Sequence, residues 1–361
     1  MSNPATTFPR PAERIGDRQP YLSPSPDGPI DLWLNSNEGL APRAELIQPA
    51  QDRLGELIRR YPNAAKLEQQ LADRFGLERE QVLVTAGADD ALYRACQTML
   101  DREREFILPM PTFEMLDRYG PLAGAKLIEI DWRSGPYPTD DVLGAITDVT
   151  SMIAVVSPNN PTGAVAKADD LRRLSAAARG ALLVVDLAYA EYADEDLTGT
   201  ALSLPNTLVV RTLSKAWGLA GLRVGYALGQ AQVVRWLHAA GNPYAASGLS
   251  MALAGAWLQT GESAMRAHVA RVRDERAALF ELLAELGAEA QPSQANFVLA
   301  RFRDAPSTWA GLAREGIAVR AFWEHAQLAD CLRITCPGDA ADYCRLEAAL
   351  RRVMSGAKEA T

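Results

Sequence analysis

The strongest constraint on the fold is a rhythm. Between residues 81 and 210, short apolar runs alternate with stretches of helix-forming sequence: Val82-Leu83-Val84, Phe106-Ile107-Leu108, Lys126 to Ile130, Met152 to Val156, Leu182 to Val185 and Leu208-Val209-Val210. Runs that are apolar at consecutive positions, rather than at every second one, suit strands buried on both faces. Helical connections between them imply a mostly parallel sheet covered by helices on both sides. Leu222 to Leu228 reads as a further strand of that sheet, and Ala44 to Arg60, with Leu46, Ile47, Leu54, Leu57 and Ile58 at roughly helical spacing, as one amphipathic helix. Ala245 to Leu286 reads as a long helix leaving the first domain. The tail then reads strand (Asn296 to Ala300), helix (Ser307 to Arg314), strand (Ala318 to Arg320), strand (Cys331 to Thr335) and helix (Ala340 to Val353), a smaller α/β domain. The expected division is a large domain over 40–260 and a small one made of 1–39, which begins as an irregular proline-rich arm, together with 261–361.

Charge and composition narrow the function. Lys+Arg number 37 against Asp+Glu 45, a formal net charge of -8, so no basic excess is available for a nucleic-acid backbone. Cys96, Cys331, Cys336 and Cys344 form no CxxC pair and read as reduced thiols, most of them buried; the three histidines, His238, His268 and His325, are scattered without metal-ligand spacing. Met1 to Pro20 lacks the apolar core of a secretory signal, and Ala245 to Leu258 is too short for a membrane span. The expectation is a cytoplasmic protein with neither a nucleic-acid partner nor a metal.

Four segments carry chemistry, each at the end of an apolar strand, where open α/β sheets bind ligands. Thr212-Leu213-Ser214-Lys215 precedes Gly218, Gly221, Arg223 and Gly225. A lysine among hydroxyls and small residues can bond an aldehyde cofactor once its amine is deprotonated; alone it reads as a solvated surface residue. Asp186 ends the strand Val184-Val185-Asp186, where an ionised carboxylate needs a cation such as a protonated ring nitrogen, although a helix cap or loop carboxylate would look the same. Ser157-Pro158-Asn159-Asn160-Pro161-Thr162-Gly163 is a turn by composition, and Asn160 in it, with Tyr189, could donate to a cofactor oxygen. Thr85-Ala86-Gly87-Ala88-Asp89-Asp90-Ala91 runs from strand into helix, a place for a phosphate or for an ordinary acidic cap. Phe113, in Pro111-Thr112-Phe113, could lie over a cofactor ring or simply fill core.

Taken together in this order and spacing, these segments resemble the aspartate-aminotransferase-like fold of pyridoxal-5′-phosphate (PLP) enzymes. Within it, the chain from Tyr21 and Leu32-Trp33-Leu34-Asn35-Ser36-Asn37-Glu38 to its end is most similar to the histidinol-phosphate aminotransferase family. The resemblance implies PLP held on Lys215 as the Schiff-base lysine, with Asp186 on the pyridine nitrogen, Asn160 and Tyr189 on the phenolate oxygen, and Phe113 on the ring. It implies a phosphate site from the Ala88 and Asp89 amides, Ser214, Arg223 and, from a neighbouring subunit, Tyr61; hence a homodimer. It gives Arg333 to a substrate carboxylate, and Arg320 and Tyr21 to a second anion, with an amino donor and 2-oxoglutarate as substrates. A decarboxylase of the threonine-phosphate kind, a specialised secondary-metabolism enzyme and a non-catalytic sensor domain are the alternatives. The chain departs from the family in having Leu187 after Asp186, Phe113 where many relatives have Tyr, and Trp217-Gly218 after the lysine.

Overall fold

A computed structural model describes residues 11–356, apart from 17, 23, 25 and 27; residues 1–10 of the expected proline-rich arm, and residue 17, lie outside it. Among the described residues twelve strands form two sheets. In chain order they are β1 (Leu32–Leu34), β2 (Val82–Thr85), β3 (Glu105–Met110), β4 (Lys126–Asp131), β5 (Thr150–Val156), β6 (Leu182–Asp186), β7 (Thr207–Thr212), β8 (Gly225–Gly229), β9 (Glu289–Ala290), β10 (Phe297–Arg301), β11 (Ile317–Ala321) and β12 (Cys331–Thr335). The larger sheet has the order β2-β8-β7-β6-β5-β3-β4, and the smaller β1-β11-β12-β10-β9. In the larger sheet every pairing is parallel except those of β8, which runs antiparallel to both β2 and β7.

The apolar runs follow from this position. On β5, Ile153 and Val155 join one buried cluster while Met152, Ala154 and Val156 join the other; on β6, Leu183 and Val185 oppose Leu182 and Val184 in the same way. Successive side chains point to opposite faces, and both faces lie under helices, so each position must be apolar. The small sheet collects its strands from far apart in the chain: β1 pairs parallel with β11, and β10, β11 and β12 pair antiparallel.

Two helical expectations are corrected. The segment 44–60 is not one amphipathic helix but a 3-10 turn (Ala44–Ile47) and two short helices (Gln48–Gln51 and Leu54–Arg59). Pro49 is the second residue of the first helix, and Gly55 lowers helix propensity in the second. Only part of its apolar side reaches the core: Ala50 is buried and Leu46 packs against the core, whereas Ile47, Leu54 and Ile58 are exposed, Ile58 by 68%. The helix expected over 245–286 is two, Gly248–Thr260 and Glu262–Glu285, divided at Gly261. A Cβ at Gly261 would sit 2.4 Å from the Trp257 ring, so close packing at the break excludes a larger residue. Among the described residues no helix is long and apolar enough to cross a membrane, and Cys96, Cys331 and Cys336 are free and buried while Cys344 is free and exposed.

The loop after β7 is held by a close backbone crossing. Gly218 has φ +68°, a conformation that L side chains rarely adopt, and a Cβ there would stand 2.0 Å from the Leu40 carbonyl oxygen; a Cβ on Gly39 would stand 2.0 Å from that of Lys215. Gly218→Ala should therefore cost about 1–3 kcal/mol and displace the loop that carries Lys215. Chemical denaturation of the wild type and the variant checks this: the expected outcome is a lower midpoint for Gly218→Ala, with an unchanged midpoint counting against the crossing.

Candidate active site

The carboxyl-terminal ends of β5, β6 and β7 open into a cavity of about 290 Å³ between the two sheets. Its wall contains Asp186, Lys215, Tyr189, Asn160, Phe113, Ala88, Asp89, Ser214, Arg223, Tyr21, Arg320 and Arg333. The fold thus brings together every expected site residue but one. Tyr61 lies elsewhere, 82% exposed and stacked on Tyr244 at 4.7 Å.

Asp186 is buried at the end of β6 and accepts a hydrogen bond from the Ala188 N–H at 3.1 Å. Burial pushes its carboxyl up to about 7, the Ala188 N–H and Lys215 pulling against it and Asp89 adding to it. Such a group is stabilised by a cation placed against it. Lys215 Nζ donates to the Ser36 carbonyl at 2.8 Å and lies 5.8 Å from the centre of the Tyr189 ring. Burial, and then the charge of Arg333, pull its ammonium down to about 8, so a sizeable neutral fraction exists near neutral pH. The Tyr189 hydroxyl accepts from Asn37 Nδ2 at 2.9 Å, and burial raises its pKa, which keeps its proton in place to donate.

At the other end of the cavity the helix Gly87–Met99 begins. A Cβ on Gly225 would lie 2.4 Å from the Ala88 nitrogen, so only a glycine lets β8 pass this close to the helix start. Asp90 accepts from the Ala86 N–H at 3.1 Å, Ser214 Oγ accepts from Thr212 Oγ1 at 2.9 Å, and Arg223 pairs with Asp89 at 3.2 Å. Amides at a helix start, a hydroxyl and a guanidinium suit a phosphate. Arg223 and Asn37 are the non-glycine residues at positive φ among the described residues, 51° and 55°, and both line this cavity. Backbone strain of that kind persists where surrounding contacts enforce it.

The asparagine pair divides its labour. Asn159 is fully buried and knits two loops, accepting from Thr112 Oγ1 at 2.7 Å and donating to the Pro111 carbonyl at 2.9 Å. Asn160 faces the cavity, where its Oδ1 accepts from Arg333 Nη1. Arg333 Nη2 donates to the Asn35 carbonyl at 2.7 Å. Burial draws Arg333 down to about 10, still charged at neutral pH.

Of the three departures from the family pattern, Leu187 and Trp217 face the core. The Trp217 indole donates to Glu191 Oε1 at 3.3 Å, beside the buried Arg211–Glu191 ion pair of 2.8 Å. Phe113, by contrast, lines the cavity.

Two groups of cavity residues escape the sequence reading. Asn35, Ser36 and Asn37 contribute two carbonyls and an amide to Arg333, Lys215 and Tyr189; backbone acceptors leave no compositional trace. Glu114 pairs with Arg320 at 2.9 Å and lies 3.6 Å from His325 Nε2. An acid in the first turn of the helix Glu114–Ala123 reads from sequence as an ordinary dipole partner.

With this geometry in place, comparison with known proteins is direct. The chain matches the aminotransferase class I and II family over residues 29–350. It belongs to that family. Histidinol-phosphate aminotransferase of Paracoccus denitrificans is 35% identical over 335 residues, covering 89% of each chain. An aromatic amino acid aminotransferase of Mycobacteroides abscessus is 34% identical over 310 residues, covering 84% of this chain and 89% of that enzyme. The solved histidinol-phosphate aminotransferase of Sinorhizobium meliloti, in complex with PLP, superposes with a TM-score of 0.84 at 22% identity, covering 97% of this chain and 99% of that one, and so shares its fold. The chain is a PLP-dependent aminotransferase, and the cavity fits the cofactor: a buried carboxylate, an amine of lowered pKa and a helix start line one space.

Borohydride reduction of the PLP-loaded protein followed by peptide mapping should find the pyridoxyl group on Lys215. An adduct on another lysine, with Lys215 unmodified, would move the site. The rate at which PLP-free protein takes up the cofactor should rise as pH climbs through about 8, because deprotonation creates the nucleophile. Stopped-flow absorbance over pH 6.5 to 9.5 reads that limb.

Proposed function

We propose that this aminotransferase moves an amino group from an amino acid, or from an amino phosphate of the histidinol-phosphate kind, to 2-oxoglutarate. One observation carries the reading. Arg333 is a buried guanidinium on the cavity wall whose hydrogen bonds go to neutral oxygens, Asn160 Oδ1 and the Asn35 carbonyl, and whose Nε has no partner among the described residues. A carboxylate or phosphate supplies the missing negative charge through a bidentate pair.

PLP, when bound, supplies an electron sink. The protein's own groups do the rest. Asp186 sets a negative charge against the ring nitrogen, which a proton there would return to the ionised range. Asn160 and Tyr189 donate to the phenolate oxygen. The Ala88 and Asp89 amides, Ser214 and Arg223 hold the phosphate, and Phe113 covers the ring. Lys215, once its amine is free, would take a proton from and return it to the donor carbon. Arg320 and Tyr21 receive a second anion where the substrate has one.

Tyr61 completes the reading. Remote from its own cavity and exposed, it is assigned to the phosphate site of a second copy, so the working unit is a homodimer. Sedimentation velocity at micromolar concentration should show the dimer mass; a monomer would remove this role.

Arg333→Ala should lower kcat/KM by roughly a hundredfold or more in the donor and the acceptor half-reaction alike, and Arg333→Lys should recover part of the loss, because an ammonium cannot reproduce the fork. Half-reactions measured separately decide it. An unchanged acceptor half-reaction in Arg333→Ala would place the anion elsewhere.

A further inference from the structure

The two arginines of the cavity are not equivalent. Arg320 and Arg333 stand opposite each other on β11 and β12, both buried. Arg333 meets neutral oxygens. Arg320 Nη2 donates to Glu114 Oε1 at 2.9 Å, and both side chains are largely shielded from solvent. Burial opposes the charge of Glu114, yet His325 and Arg320 together hold its carboxyl below the usual carboxylate range, and the helix start beneath it favours the anion. Against the same guanidinium lie the rings of Tyr21, at 5.7 Å, and Phe322, at 5.3 Å, with Leu328 completing an apolar wall.

We propose that Glu114 is a built-in counter-ion that sets substrate selectivity. It occupies Arg320, so the cavity matches a substrate that brings one negative charge to Arg333 and an apolar or aromatic side chain to the wall of Tyr21, Phe322 and Leu328. A dicarboxylate brings a second carboxylate and has to displace that of Glu114 before Arg320 can take it. Displacement separates a shielded ion pair, which costs free energy unless the incoming anion replaces each contact. Monoanionic amino acids with apolar side chains are thereby the preferred donors, and dianions, the acceptor 2-oxoglutarate among them, bind against a standing competitor. The inference rests on Arg333 being the first anion site.

The test compares Glu114→Gln, Glu114→Asp and the wild type in two ways. One is the ratio of kcat/KM for glutamate to that for phenylalanine in the donor half-reaction of the holoenzyme. The other is the ratio of calorimetric affinities for maleate and 3-phenylpropionate, unreactive anions with two carboxylates and one. Glu114→Gln removes the charge and keeps the shape, so both ratios should shift toward the dianion by roughly tenfold or more. Glu114→Asp, which keeps the charge, should stay nearer the wild type. Ratios that do not move in Glu114→Gln, or that move equally in Gln and Asp, overturn the proposal. Arg320→Gln and Arg333→Ala separate it from the reading beneath. If Arg320→Gln lowers the ratios while Glu114→Gln leaves them alone, the second anion site stands and the counter-ion falls. If Arg333→Ala leaves 3-phenylpropionate binding intact, the first anion site itself is wrong.

Discussion

A carboxylate at the end of a buried strand is the constraint on which this architecture turns. Asp186 closes β6, whose other residues are apolar on both faces, in the middle of a seven-stranded sheet. A charge in that position is tolerated where the strand ends open into a cavity, because a cation can then be brought against it. The cavity exists because helices cover both faces of the sheet but leave the strand ends open, and the smaller sheet stands across that opening with Arg320 and Arg333 on adjacent strands. The carboxylate on one wall and the guanidiniums on the other define the distance a cofactor and its substrate have to span.

Between these walls runs the short piece of chain that follows β1. The Asn35 carbonyl accepts from Arg333, the Ser36 carbonyl accepts from Lys215, and the Asn37 side chain donates to Tyr189 while accepting from Thr335 Oγ1 at 3.0 Å. Three consecutive residues thus tie the amine, the phenol and the buried guanidinium of Arg333 into one network. Asn37 keeps a left-handed backbone to do so. The cost of that conformation is offset by a fully hydrogen-bonded, buried side chain.

Charge in the cleft is apportioned with comparable economy. Burial and the charge of Arg333 depress the proton affinity of Lys215, which serves a nucleophilic amine; Glu114 spares Arg320 from adding a third uncompensated cation. A neutral ion pair among aromatic rings and a lone guanidinium beside it make an asymmetric site, suited to telling one anion from two.

How much of this was legible in sequence depends on the range of the forces involved. The strands of the large sheet were, since burial on both faces demands consecutive apolar residues, and Val184-Val185-Asp186 or Leu208-Val209-Val210 carry that demand locally. Much of the cavity wall was too, because Asp186 ends β6 while Ala88, Phe113, Asn160 and Ser214 follow β2, β3, β5 and β7 closely, and their order resembles a known family. Segment 44–60 was misread because the spacing of its apolar residues says nothing about whether a core lies opposite them; Ile47, Leu54 and Ile58 face outward. The break at Gly261 was hidden because a single glycine is tolerated in a helix, and the direction in which the Trp257 ring lies, one turn earlier, is not written in the spacing. Glu114, His325, the Asn35 and Ser36 carbonyls and the Asn37 amide were invisible for a plainer reason: their partners lie on strands and turns far along the chain. By itself the sequence determined which residues would be buried in strands and which chemistry they would end in. Only the tertiary structure decided which charges meet, because a carboxylate at position 114 and a guanidinium at 320 become an ion pair through the packing of one sheet against the other.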